Sequence, residues 1–181
     1  FIRVMDSLTL AISQGSLRRG SAACYLDCHH PEIEEFLEIR KASGDFNRKS
    51  LNLHHGINIT DAFMEAVRAD EDFGLISPKS GEVVRTINAR KLWQKILELR
   101  MQTGEPYLLF TDTVNNSMPA HQRKLGLKVT QSNLCSEITL PTGIDHRGQD
   151  RTAVCCLSSV NAEKFMEWSK DEHFLEDIFR F

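Results

Sequence analysis

Apolar positions along the chain change repeatedly between the spacing of a helix and that of a strand. Helical spacing predicts a first helix to about Ser13, and Pro31 opens a second one, since its missing N–H would be unpaired there anyway. Later helices are predicted to begin at an N-cap that is Thr60 or Asp61 and at the N-cap Asn88, and a last one near Phe165. The apolar runs between them predict strands over 21–28, 51–60, 75–87 (a hairpin), 107–111 and 152–157. Strands that alternate with helices predict an α/β fold with a mostly parallel sheet.

Both ends of the chain resemble cuts through a larger structure. Phe1 already lies in an apolar-periodic segment, and apolar residues at helical spacing continue up to Phe181. Natural termini usually end in polar, loosely held residues. No composition break or linker interrupts the chain. We therefore interpret residues 1–181 as one internal segment of a larger domain.

Composition narrows the class of protein. With 41% hydrophobic and 26% charged residues, the chain is typical of a globular protein. The net charge of −3 argues against a nucleic-acid or phospholipid surface, which needs a basic patch. No apolar run approaches the roughly 20 residues that span a bilayer. Five cysteines without a secretory signal favour the cytoplasm, where they are free, catalytic or metal-bound.

The run Gln-Ser-Asn-Leu-Cys-Ser-Glu-Ile at 131–138 concentrates reactive side chains. Residues 129–140 are predicted to form an extended loop or a strand pair, in which alternate side chains point to one side. Asn133, Cys135 and Glu137 would then share a face and could position a hydroxyl-bearing substrate, attack it and move its proton. A strand with one buried cysteine and two exposed polar residues would also produce this pattern.

Four motifs, in order, resemble those of the large, catalytic subunit of class I ribonucleotide reductases. Ser-Asn-Leu-Cys-Ser-Glu-Ile at 132–138, followed by Thr-Leu-Pro-Thr, resembles the finger-loop motif of that family. Gln-Gly-Ser-Leu-Arg-Arg-Gly at 14–20 resembles the loop that carries the allosteric specificity signal. The runs at 30–37 and 153–161 also match. The resemblance covers nearly the whole chain and implies part of a ten-stranded α/β barrel, with a central finger loop carrying the catalytic cysteine.

The resemblance also implies roles for the residues of the 132–138 motif. Cys135 matches the thiyl-radical cysteine that removes hydrogen from the 3′ carbon of the ribose. Glu137 matches the base that takes the 3′-hydroxyl proton, and Asn133 matches the amide that binds the substrate hydroxyls, with Ser132 beside it in the substrate site. Because such a radical must be kept from water and other hydrogen donors, we expect a buried loop tip.

One of the two cysteines that supply electrons should also lie in this chain. Aligning 153–158 with the family places Cys155 at the reducing position, whereas relatives often have a small polar residue at Cys156. Adjacent strand residues face opposite ways, so only one of them can face the substrate. Cys156 is then expected to be a small buried hydrophobe. The other member of the pair lies upstream of Phe1 in the family.

The loop at 14–20 has its own physical rationale. Gly15 and Gly20 permit unusual backbone angles and close approach to a ligand. By the resemblance, Gln14 and Arg18 contact the substrate base and signal which effector is bound, and an arginine also suits phosphate. The family usually has a second glycine at the position of Ser16, which leaves the details of specificity open. Without the resemblance, this loop would be a plain surface turn.

Histidines and cysteines elsewhere raise the question of a metal site. Cys24 and Cys28 are suitable zinc ligands, but in a strand they would lie about 13 Å apart, too far for one ion. His54 and His55 are interpreted as a structural pair. We therefore expect no metal on this segment.

The resemblance implies a ribonucleoside-diphosphate reductase large subunit. Such a subunit works with a small radical-generating partner that carries a dimetal centre, with thioredoxin or glutaredoxin, and with ATP and deoxynucleotide effectors. It is expected to be a cytoplasmic homodimer. The segment alone is expected to be inactive, because the upstream cysteine and the downstream phosphate site, tyrosine pair and cysteine tail are missing from it.

Three alternatives stay open at the level of sequence. The cobalamin-dependent class of the same reductases usually has proline and glycine around the cysteine, so Leu134 and Ser136 favour class I. A split or truncated homologue would only bind nucleotide or assemble with a second chain. An unrelated cysteine oxidoreductase would pair Cys135 with Cys155 as a disulfide.

Overall fold

The chain contains eight α-helices, two short 3-10 helices (Phe46–Arg48 and Ala162–Lys164) and nine strands within residues 1–14 and 17–180, the part that the computed structural model describes. The helices are α1 (Ile2–Ala11), α2 (Ile33–Glu38), α3 (Asp61–Ala69), α4 (Ala89–Thr103), α5 (Thr111–Ser117), α6 (Ala120–Lys124), α7 (Phe165–Trp168) and α8 (Phe174–Arg180). The strands are β1 (Ser13–Gln14), β2 (Arg18–Arg19), β3 (Ala23–Asp27), β4 (His54–Ile59), β5 (Asp72–Ile76), β6 (Val83–Asn88), β7 (Tyr107–Phe110), β8 (Gly143–Ile144) and β9 (Asp150–Arg151). None of the described helices is long and apolar enough to cross a membrane.

A three-stranded parallel sheet in the order β3-β4-β7 organises the fold. One face of β4 presents Ile57 and Ile59 to α2, α3 and α4, and both side chains are fully buried. The helices contribute one apolar stripe each. The stripe residues are Ile33, Phe36, Leu37, Phe63, Val67, Leu92, Ile96 and Leu99. The predicted α/β fold with a parallel sheet is confirmed.

Local sequence signals set most of the element boundaries. The Thr60 hydroxyl accepts a hydrogen bond from the Phe63 N–H, so Thr60 and not Asp61 is the N-cap of α3. The Asn88 side chain accepts one from the Lys91 N–H, which confirms the predicted N-cap there. Gly104 ends α4 with a left-handed φ of 79°. The predicted hairpin is β5–β6, with its turn at Pro78-Lys79-Ser80.

Three predicted elements differ from the structure. Residues 152–157 form no strand and are exposed, because no described strand lies beside them to pair with their backbone or cover their side chains. The second helix begins at Ile33, two residues after Pro31, which lies in the preceding turn. The predicted last helix is two short helices, α7 and α8.

Gly20 lies where the chain passes close to the end of α1. Its N–H donates to the Ile12 carbonyl at 2.6 Å, and a Cβ at this position would lie 2.7 Å from the Thr9 carbonyl oxygen. Because that neighbour is backbone, it can move little. We expect Gly20→Ala to lower the free energy of unfolding by about 1–3 kcal/mol in urea titrations. Ser21→Ala, at an exposed neighbour, serves as the control, and equal stability of the two variants would contradict the expectation.

Asp6 on α1 is a buried carboxylate that joins this helix to the segment before β4. Its oxygens accept hydrogen bonds from the Ser50 hydroxyl, the backbone N–H groups of Asn52 and Leu53, and the Asn52 side-chain amide, at 2.8–2.9 Å. Burial alone would raise the pKa of Asp6, but these four donors outweigh it and hold the pKa below its ordinary value.

The lowered pKa of Asp6 predicts a pH-dependent loss of stability. The unfolded chain takes up the Asp6 proton at a higher pH than the folded chain does. The stabilisation is therefore complete above about pH 5 and is lost as the pH falls below about 4. Asp6→Asn should cost about 2 kcal/mol at pH 7 and flatten this acid dependence, measured by urea unfolding between pH 3 and pH 7. An unchanged acid dependence in the variant would contradict the assignment.

Candidate functional site

The face of the sheet that points away from the helices carries a tyrosine on each side of a glycine. Tyr25 of β3 and Tyr107 of β7 are both register partners of Gly56 on β4. A Cβ on Gly56 would lie 2.3 Å from the Tyr25 ring, so only glycine lets this ring lie against the strand. The Tyr25 hydroxyl is buried and has no hydrogen-bond partner among the described residues. We call this surface the open face of the sheet.

Two asparagines attach the root of residues 129–140, which we call the finger loop. The Asn115 amide on α5 donates to the Val129 carbonyl at 3.0 Å, and its oxygen accepts from the Val129 N–H at 2.9 Å. The Asn58 amide, at the end of β4, donates to the Thr130 carbonyl at 2.9 Å and to Asp27 at 2.8 Å. The loop therefore starts at the carboxyl end of the sheet, on its open face.

Hydrogen bonds inside the finger loop close it into a tight turn. The Ser132 hydroxyl donates to the Ile138 carbonyl at 2.9 Å, and the Asn133 side-chain oxygen accepts from the Ile138 N–H at 3.1 Å. The Ser136 N–H donates to the Asn133 carbonyl at 3.1 Å, and Ser136 has a left-handed φ of 65°. The prediction of an extended segment or strand pair is therefore wrong at the tip, and the simple alternation of side chains does not apply there.

Cys135 and Glu137 are exposed at and beside this turn. The expected burial of the tip is wrong for this chain, because no described element covers the open face above the thiol. Cys155 and Cys156 are exposed as well. Since they lie in no strand, alternation does not select one of them. The turn does bring Ser132 and Asn133 together, since the Ser132 hydroxyl lies 3.2 Å from the Asn133 side-chain oxygen.

Tyr107 on the open face stays protonated at neutral pH. Burial, followed by the charge of Glu105, raises the pKa of its phenol.

A buried carboxylate lies at the amino end of the same strands. Glu105, 7% exposed, accepts from His54 Nδ1 at 2.6 Å, from His55 Nδ1 at 3.1 Å and from the His55 backbone N–H at 3.2 Å. Arg40 Nε is 3.6 Å from the same carboxylate. Burial lowers the pKa of His55, against the raising effect of Glu105, so that His55 stays neutral and donates through Nδ1. His54 also stacks on Tyr107, with ring centroids 6.0 Å apart.

These contacts show the two histidines bound to a carboxylate, as a structural pair.

The cysteines of β3 and of the turn after it are less exposed to solvent than Cys135. Cys28 is fully buried, and burial raises the pKa of both Cys24 and Cys28, which makes them poor nucleophiles and ligands. Among the described residues, no three acidic, histidine or cysteine side chains are grouped as a metal site would require.

The predicted specificity loop is described only in part. β1 and β2 pair as a two-residue antiparallel ladder, with Gln14 opposite Arg18. Arg18 is exposed, and Gly20 makes the close approach given above. Gly15, Ser16 and the Gln14 side chain lie outside the described residues. The contacts predicted for Gln14, Gly15 and Arg18 with a nucleotide stay predictions.

Three residues that hold this part of the fold in place were not predicted from the sequence: Asn58, Asn115 and Glu105. Asn58 could have been noticed in the sequence, because a polar residue inside the apolar run of β4 needs a hydrogen-bond partner. Asn115 lies in α5, a helix that the apolar pattern did not indicate. Glu105 follows Gly104 at the end of α4, where a surface charge would be the ordinary interpretation.

The fold and the loop together define a class: an α/β segment whose parallel sheet carries, on its open face, a loop with an accessible thiol at its turn. Residues 1–180 match the family model described as ribonucleotide reductase, barrel domain. The chain belongs to this family.

Named relatives agree with the family match. The chain is 53% identical over 173 residues to a putative ribonucleoside-diphosphate reductase large subunit of Frog virus 3, covering 95% of this chain and 30% of the relative. It is 38% identical to the ribonucleoside-diphosphate reductase large subunit of Invertebrate iridescent virus 3, and the match covers 98% of this chain and 36% of that relative. The solved class Id ribonucleotide reductase alpha subunit of Actinobacillus ureae matches with a TM-score of 0.66 and 29% identity, over 98% of this chain and 30% of that one. The chain thus spans about a third of the length of these relatives.

Proposed function

We propose that this chain is the finger-loop segment of a ribonucleoside-diphosphate reductase large subunit, which makes deoxyribonucleotides for DNA synthesis. The observation that carries the proposal is the family match over residues 1–180 together with the Ser-Asn-Leu-Cys-Ser-Glu turn on the open face. The rest of a ten-stranded barrel would cover this face. It would also bury the exposed Cys135 thiol.

Cys135, Glu137 and Asn133 would divide the chemistry. A thiyl radical on Cys135 takes the hydrogen atom from C3′ of the ribose. Glu137 accepts the 3′-hydroxyl proton, and the 2′ hydroxyl leaves as water after taking a proton from one thiol of the reducing cysteine pair. The second thiol of that pair supplies the hydrogen that C2′ gains. Asn133, already held by its bond to the Ile138 N–H, presents its amide N–H₂ to the substrate hydroxyls, with Ser132 at the same turn. The hydrogen atom then returns from Cys135 to C3′.

Two electrons must enter for each water that leaves. We infer that Cys155 and a second cysteine outside residues 1–181 supply them by forming a disulfide, which thioredoxin or glutaredoxin reduces. Cys155 is exposed and lies in a segment without regular structure among the described residues. Cys156 is equally exposed, and the choice of Cys155 rests on the resemblance alone.

The remaining partners follow from the proposed class. A small subunit with a dimetal centre would start the radical, and ATP or deoxynucleotides would act as effectors through Gln14, Gly15 and Arg18. The complete subunit is proposed to be a homodimer. We expect the enzyme to act in the cytoplasm.

The proposal is tested by assaying the complete large subunit that contains this segment. Ribonucleoside diphosphate, a dithiol reductant and the small subunit are supplied, and deoxynucleotide is measured. Product that depends on the small subunit supports the proposal. Product that depends instead on adenosylcobalamin would place the chain in the cobalamin-dependent class. Absence of product with either would indicate a homologue that only binds nucleotide or assembles.

A further inference from the structure

We propose that Asn115 and Asn58 are positioning residues that fix where the finger loop leaves the sheet, and so set the place of Cys135. Among the described residues, neither side chain hydrogen-bonds to the turn that carries the thiol. Both instead hold the two residues at its root, Val129 and Thr130. The chemical consequence rests on the proposed function, but the anchoring itself does not.

Asn115 holds Val129 through both of its backbone groups. The Asn115 side chain donates to the Val129 carbonyl and accepts from the Val129 N–H. This pair of hydrogen bonds is the same as the pair that a neighbouring strand would form with Val129. A third bond, from the Asn115 amide to the Thr111 carbonyl at 2.8 Å, fixes the rotamer. Val129 is 2% exposed, which keeps water from competing for these bonds.

Asn58 holds the next residue from a different element. Its amide donates one N–H to the Thr130 carbonyl and the other to Asp27 at the end of β3. Asn58 is 6% exposed, and its side-chain oxygen has no partner among the described residues. A buried amide left half-satisfied in this way is costly. The presence of this asparagine in an otherwise apolar strand is consistent with a role in holding the loop.

The two anchors reach the root of the loop from different elements. Asn115 reaches the root from α5, which follows β7, and Asn58 reaches it from β4. Consecutive backbone groups tied to two separate elements leave the loop little freedom to pivot. Because a displacement of about 1 Å at a reacting atom costs about 10²-fold in rate, the direction in which the loop leaves the sheet matters for Cys135.

Hydrogen exchange tests the anchoring without any enzyme assay. In the 181-residue chain, Asn115→Ala should speed amide exchange in peptides covering Ser136 and Ile138 by about tenfold, while β4 and β7 peptides stay unchanged. Asn58→Ala should act in the same direction. Asn115→Asp keeps the acceptor for the Val129 N–H and loses the donor, so its effect should be intermediate.

Asn116→Ala is the matched control, because it removes the same amide from the next residue, which lies on the exposed side of α5. It should leave the finger loop unchanged. Equal acceleration of β4, β7 and the loop in Asn115→Ala would indicate general destabilisation and overturn the proposal. Unchanged exchange at Ser136 and Ile138 would overturn it as well.

Activity then tests the consequence in the complete large subunit. Asn115→Ala should lower kcat by about 10²-fold with a much smaller change in KM and unchanged effector binding, and Asn115→Asp should restore part of the loss. An equal loss in Asn116→Ala, or full activity in Asn115→Ala, would contradict positioning. If the unmodified subunit is inactive, the proposed function fails, while the exchange result still decides the anchoring.

Discussion

Cys135→Ser in the complete large subunit is expected to abolish nucleotide reduction. A serine hydroxyl is nearly isosteric with the thiol, but its O–H bond is much stronger, so it cannot hold the radical that takes the 3′ hydrogen. The loss should be on the order of 10⁴-fold or more, as when the reacting side chain is removed from other enzymes. Deoxynucleotide formation by the purified variant with saturating small subunit and reductant measures this loss.

The exposed Cys156 provides the matched control for Cys135. Cys156→Ser makes the same chemical change in a thiol of similar exposure and should keep at least half of the activity. Folding is checked by circular dichroism, which Cys135→Ser should leave unchanged because the side chain at this position is exposed. Substantial reduction by Cys135→Ser, or equal loss in Cys156→Ser, would remove Cys135 from the centre of the chemistry.

Glu105→Ala is expected to cause the largest loss of stability. The substitution leaves His54, His55 and Arg40 without the carboxylate that they share at the amino end of the strands. Removing one partner of a buried charged network costs about 3–5 kcal/mol, mostly because the remaining groups are left buried and unpaired. Urea unfolding of the chain at pH 7, followed by circular dichroism, should show a loss of about 3 kcal/mol, since Arg40 is partly exposed.

Glu98 provides the comparison for Glu105. It lies on the exposed side of α4, and Glu98→Ala should change the free energy of unfolding by less than about 0.5 kcal/mol. Glu105→Gln should lie between the two, because an amide oxygen still accepts a hydrogen bond but carries no charge. A loss in Glu105→Ala no greater than in Glu98→Ala would show that this cluster does not hold the strands together.

The features that the sequence predicted correctly are those that depend on near neighbours. The N-caps Thr60 and Asn88, the hairpin at 78–81 and the end of α4 at Gly104 each involve residues only a few positions apart. Their physics is contained in a short window of sequence. The motif at 132–138 was identified in the same way, by residues that are close in the chain.

The features that it missed depend on distant or absent partners. Asn58 bonds to Thr130, 72 residues away, and no periodicity reports such a contact. Residues 152–157 have the apolar pattern of a buried strand, but a strand needs a neighbour, and the described residues offer none. The exposed Cys135 is a similar case, since burial of the turn requires structure over the open face. The turn itself was missed because a left-handed serine at position 136 is uncommon.

The central claim, that Cys135 removes the 3′ hydrogen of a ribonucleotide, is tested most directly by isotope release. The complete subunit, with its small subunit and reductant, is given a ribonucleoside diphosphate carrying tritium at C3′. While the hydrogen resides on the Cys135 thiol, some of it exchanges with water. We predict that tritium appears in the water in step with turnover and that Cys135→Ser releases none. Deoxynucleotide formed without any tritium release, or release that persists in Cys135→Ser, would contradict the claim.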